Sequence, residues 1–283
     1  MTYHAKSTLP FKVELIRQLR RKRTLAAFSF VVALPLIVAS AVKYGPSGGH
    51  GGREDRFGGG DLDLVGLATH GAANFTATMF YFATGFVLIT VVAIFCGDTV
   101  ASEASWSTLR YLLASPVPRA RLLKQKILVS LTLSLSAIVL LPIVSYLVGG
   151  IAFGFGGLQT PLGATFGTGV GISRLAIMTG FLALSLLFCA GIAFFMSVVT
   201  DAPLGAVGAA VGLVIVSNIL NAISALGTLR QWLPTHYAYA WLDALATNID
   251  WTGMIRGASY SLIAFAIFLA WAIEKFGRKD ITS

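Results

Sequence analysis

Charge is what this chain has least of: 12% of its 283 residues are Asp, Glu, Lys or Arg, against 56% hydrophobic. A soluble domain carries about twice that charged share. Together with a mean hydropathy of +0.79, this excludes a soluble globular chain and leaves a polytopic membrane protein. Cysteine is nearly absent, and Cys96 and Cys189 both lie in apolar runs far apart in sequence. They read as inert buried thiols rather than a disulfide or a metal pair. The four histidines, His4, His50, His70 and His236, lack the His-Glu-x-x-His spacing of a zinc protease, so no metal site is expected. No G-x-x-x-x-G-K-[ST] run occurs, which excludes ATP hydrolysis through a phosphate loop by this polypeptide. The 21 Lys and Arg are spread over segment ends rather than gathered on one face. That removes nucleic acid as a partner and makes the basic excess a signal of topology.

What the chain does have is a series of long uncharged runs. Between Arg23 and Lys43 come 19 uncharged residues, at ~1.5 Å each about the ~30 Å hydrocarbon thickness. The Ala39-Ser40-Ala41 triplet makes a signal peptide the rival reading, but the apolar part exceeds the usual ~7–15 residues. Residues 9–23 mix Phe11, Leu15 and Leu19 with six basic residues. They fit an amphipathic helix lying on membrane lipid, with a soluble basic leader as the alternative. Residues 45–60 are Gly-rich and read as a flexible exposed loop. Asn74-Phe75-Thr76 has the form of a glycosylation acceptor, but the short motif arises by chance and lies here at a membrane edge.

The remaining runs complete an all-α integral membrane protein, a single domain over residues 1–283 with six spans. These are expected at about 24–43, 75–96, 127–148, 175–199, 203–225 and 257–274, the third with a kink at Pro142. A Gly-rich outer loop covers 149–173. The segment before the last span holds Trp232, Tyr237, Tyr239, Trp241 and Trp251, the composition of an aromatic belt at headgroup level. With the amino terminus inside, fifteen Lys and Arg fall inside and six outside, Arg174 among the latter. That bias places both termini in the cytoplasm.

No span carries an ionisable residue in its middle, which weighs against an ion-coupled secondary transporter. The polar residues within spans are amides and hydroxyls. Ser217, Asn221 and Ser224 share one side of the fifth span with Asn218 alongside, and either line a route or bond a neighbouring helix. Gly208-x-x-x-Gly212 in the same span permits close helix approach.

One charged interruption stands out, from Gly97 to Lys126 between spans two and three. Asp98, Ser102 and Glu103 place acceptors and negative charge where a short helix would begin, and Pro116 with Pro118 would stop it. Trp106, Leu109 and Leu113 form an apolar stripe with Leu112 beside it, while Ser105, Ser107, Thr108 and Arg110 lie away from it. The stripe faces a partner, the lipid surface or the chain's own spans. Arg110, Arg119, Arg121, Lys124 and Lys126 hold this handle on the cytoplasmic side.

This handle resembles the loop after the second span of type-2 ATP-binding-cassette (ABC-2) transporter permeases. The family pattern runs Asp, Glu, Gly-Thr-Leu, Leu-Leu, then Pro-x-x-Arg before a Lys entering the next span. Here the matching positions are Asp98, Glu103, Thr108-Leu109, Leu112-Leu113, Pro116 with Arg119, and Lys126, with Ser107 in place of the Gly and a bulky Trp106 before it. The basic tail from Phe276 to Ile281 is similar too, as is Pro234 followed by Trp241. The resemblance implies one half of a membrane pore, paired with itself or a similar permease. Separate ATPase subunits would bind the ATP, so the chain itself would hold no cofactor and would not be an enzyme. It further implies a coupling helix using Glu103, Trp106, Thr108, Leu109, Leu112 and Leu113, and a place in a bacterial inner membrane. Most such permeases export drugs, antibiotics, lipids or polysaccharides. The competing classes are a non-transporting membrane anchor or scaffold and a secondary transporter.

Overall fold

The structure is a computed structural model describing residues 11–44, 64–106, 118–160 and 163–278. Six of its helices are long and apolar enough to cross a membrane: Lys22–Tyr44, Ala72–Ser105, Arg119–Phe153, Thr168–Val199, Pro203–Ala222 and Trp251–Arg278. The chain is an all-α multi-pass membrane protein. A short helix, α1 (Phe11–Leu19), precedes the first span, and a two-stranded antiparallel hairpin of β1 (Leu158–Gln159) and β2 (Thr165–Phe166) links spans three and four.

Several spans outrun their apolar cores. The third is a 35-residue helix, about 52 Å at ~1.5 Å per residue, against ~30 Å of hydrocarbon. Its backbone bonds continue past the apolar part onto Arg119, Arg121 and Lys124, where hydropathy alone marks an end. The second runs on to Ser105 and passes through a π-helical turn at Ala83–Val87.

Burial separates axis from periphery. About two thirds of the central stretch of the second span (67%) and of the fourth (61%) is buried, whereas the first, fifth and sixth are at 22%, 22% and 17%. The second and fourth spans pack on each other, with the sixth along the later half of the fourth and the fifth beside both. Small residues allow this approach. A Cβ at Gly149 would lie 2.9 Å from the Phe75 side chain, and one at Gly191 would lie 3.0 Å from the Phe265 backbone. Among the described residues, no atom beyond the chain neighbours and nearby backbone of their own helix lies within 4 Å of a Cβ placed at Gly208 or Gly212.

The end of the bundle that carries the hairpin differs from expectation in two residues. Arg174 lies within the fourth-span helix and is buried. Its guanidinium donates to the carbonyls of Ala244 (2.8 Å), Ala246 and Thr247 (3.0 Å) and sits 4.0 Å from the Phe166 ring centre. Trp241 is fully buried against Phe80 rather than at headgroup level, while Trp232 (75% exposed) and Trp251 (48%) are outward. Asn74 is buried too, and its amide exchanges two bonds with the Gln159 backbone. That leaves it sequestered from glycosylation.

Gly191→Ala therefore forces a backbone shift between the fourth and sixth spans, a cost of about 1–3 kcal/mol for overpacking. Gly180→Ala, whose Cβ would meet no other element among the described residues, should be neutral. Unfolding titrations in mixed detergent micelles compare the two.

Candidate functional site

At the end of the bundle opposite the hairpin, the second span finishes in charge. Asp98, Ser102 and Glu103 belong to its last turns, not to the start of a separate helix. No loop precedes Asp98, so helical bonding continues unbroken to a cap at Trp106, whose N–H reaches the Ser102 carbonyl at 3.1 Å. Asp98 and Ser102, four residues apart, share one face. Arg21 donates to both, at 3.1 Å and 2.8 Å, and Arg23 also pairs with Asp98.

Glu103 points the other way, into the bundle, and is 1% exposed. It pairs with Lys126, which is 0% exposed, and with Arg17 of α1. Glu14 completes the group, 2.7 Å from Arg17 and 3.7 Å from Lys126. Lys126 also donates to the Thr99 carbonyl at 3.4 Å. Burial pushes the Glu14 carboxyl up, but Lys126, Arg17 and Gln18 outweigh it and hold the group below its ordinary value. Three carboxylates thus face four cations across α1, the first three spans' near ends and the turn between α1 and span one.

The leader forms the expected helix, and the face of α1 turned to the bundle is its polar one. Its buried residues are Glu14 and Gln18, while Val13 (58%) and Ile16 (50%) are exposed. Phe11 and Leu15 are half-buried and touch the core. The signal available in sequence was Glu14 itself, a lone acid in a basic leader.

Trp106 stands at the exit of the second span, 58% exposed, with the Arg21 guanidinium 5.3 Å from its ring centre. Thr108, Leu109, Leu112 and Leu113 lie in 107–117, outside the described residues. Their segment leaves from Trp106 and returns at Pro118, the N-cap of the third span. The ion cluster is therefore the root of the handle.

The fifth-span polar residues are elsewhere, at the hairpin end. Ser217 bonds Thr235 at 2.8 Å and Asn221 bonds the His236 ring at 2.8 Å. Both partners belong to the segment after the span. Burial and the Arg230 charge hold the His236 imidazole below its ordinary value. Asn218 is half-buried, and Ser224 is exposed in the 3-10 helix Ser224–Trp232 that follows the span. The structure does not gather these four into one lining.

Among the described residues no group of three or more His, Cys, Asp or Glu is placed to hold a metal ion. Cys96 and Cys189 are buried and unbridged. The cluster meets each of its charged groups with an opposite one. Its chemistry is electrostatic clamping.

Lys126→Met should destabilise the protein by about 3–5 kcal/mol, because it leaves Glu103 and Glu14 as buried charges without their ammonium. Adding Glu103→Gln should recover part of that loss. A double-mutant cycle by unfolding in detergent reads the coupling, and strictly additive losses would contradict the pairing.

No curated protein matches the chain. A family described as "Protein of unknown function (DUF2705)" matches residues 63–282, which takes in both carboxylates of the second span, Lys126 and the four later spans. On that match, covering most of its length, the chain belongs to this family of unknown function.

Proposed function

We propose that the chain is the membrane-spanning permease half of an ABC-2 type transporter. It is an exporter paired with a second permease half, the same or similar, and driven by separate ATPase subunits. The observation that carries this reading is the root of the handle. A handle that passes force between an ATPase and the spans needs a rigid base, and Glu103, Lys126, Arg17 and Glu14 tie the end of span two, the start of span three and α1 into one buried ionic unit. Buried ion pairs of this kind are costly to break, so displacement of the handle would move three helices together. The handle residues then form the coupling helix, with Trp106, Leu109 and Leu113 as the docked face and Thr108 and Leu112 beside it. The resemblance of Asp98, Glu103, Thr108-Leu109, Leu112-Leu113, Pro116, Arg119 and Lys126 to the permease pattern supports the same reading. The handle, both termini and α1 face the cytoplasm of a bacterial cell, in keeping with the basic-residue bias.

The purified chain alone should hydrolyse no ATP. With its co-purified ATPase subunit, Leu109→Asp should abolish transport and lower ATPase retention per folded permease, since burying Leu109 contributes on the order of 1.5–3 kcal/mol. Unchanged retention would remove the coupling role.

Orientation has its own test. Single cysteines at Thr165 and Thr247, both exposed, should react with an impermeant maleimide in intact cells, and ones at the exposed Lys12 and Lys124 should not. The native thiols are buried and give little background. The reverse pattern would invert the topology.

A further inference from the structure

A cavity of about 480 Å³ opens between the last turns of the fourth and sixth spans, at the same end of the bundle as α1. Its floor is apolar: Phe195, Val198 and Val199. Trp271 walls one side, its ring 6.0 Å from that of Phe195. The rim is ionic, made by Glu274, Lys275 and Arg278 of the sixth span's final turns. Glu274 is committed to Arg278 at 3.0 Å, and Lys275 makes no ion pair among the described residues. Among the described residues the rim thus carries one positive charge in excess.

The opening faces away from the bundle, since Val199 is 47% and Trp271 51% exposed. A tryptophan beside basic residues at the end of a spanning helix marks the level where hydrocarbon meets headgroups. We propose that this cavity binds an anionic glycerophospholipid, its phosphate on Lys275 and Arg278 and one acyl chain along Phe195 and Val198. Basic pockets between spanning helices are the usual form of such sites. The single excess charge matches a headgroup with one net negative charge. A zwitterionic lipid would bring its own cation to Lys275, and a free phosphate would leave the apolar floor in water. The proposal rests on the membrane location of the chain and not on the transport reading.

The test titrates fluorescent phosphatidylglycerol and phosphatidylcholine into the purified full-length protein in detergent. Phosphatidylglycerol should bind at least fivefold more tightly than phosphatidylcholine. Lys275→Gln/Arg278→Gln should erase that preference, and Lys275→Glu alone should reverse it. Lys12→Gln/Lys22→Gln, the same charge change at exposed positions elsewhere at this end, should keep it. All these side chains are exposed, and matching elution profiles confirm that each variant folds. An undiminished preference in the first variant, or an equal loss in the Lys12/Lys22 pair, would overturn the site. Displacement of the labelled lipid by equimolar glycerol 3-phosphate would assign it to free phosphates instead.

Discussion

The pairing of Lys126 with two carboxylates from different helices is the constraint on which this end of the molecule depends. A buried ammonium costs several kcal/mol in lost hydration, and only partners in good geometry offset that. Glu103 is delivered by the end of the second span, Glu14 by α1 and Lys126 by the third. All three helices must therefore be in register for Lys126 to meet both carboxylates. The same requirement explains why α1 turns a charged face inward and leaves Val13 and Ile16 outside. Arg17 joins the carboxylates within α1 and across to the second span, so charge holds the short helix beside the core contacts of Phe11 and Leu15.

Around that anchor the bundle is built from close contact of small residues. In an apolar solvent no hydrophobic force drives helices together, and backbone proximity with dense packing takes its place. Gly191 against Phe265 and Gly149 against Phe75 are two such close approaches between spans. The first, fifth and sixth spans keep most of their central surface outward. A single helix with two glycines that meet no other described element, as at Gly208 and Gly212, fits a periphery that meets lipid or the second permease half of the proposed transporter.

In that proposed transporter, the functional weight of the chain lies at one end. A handle rooted in a buried ionic unit can tilt the second and third spans as one body, and the second span is the most buried of the six. At the other end, Arg174 binds three carbonyls of the segment before the sixth span. Ser217 and Asn221 bind Thr235 and His236 of that same segment, so the connection there is pinned from both sides.

Much of this was legible from residues alone, because a bilayer imposes one-dimensional rules. Six uncharged runs of spanning length and the interruption between Gly97 and Lys126 follow from the expense of placing charge or unpaired backbone in hydrocarbon. Helix ends were less legible, since Asp98 and Glu103 continue a helix when cations from elsewhere meet them. That Glu14 is inside and Ile16 outside, that Arg174 is a buried clamp and that Trp241 belongs to the core were settled only by tertiary structure. Each depends on which distant group supplies the opposite charge, the carbonyl or the ring. Hydropathy measures a residue's own preference for lipid or water, whereas burial of a polar group is decided by the partner that satisfies it.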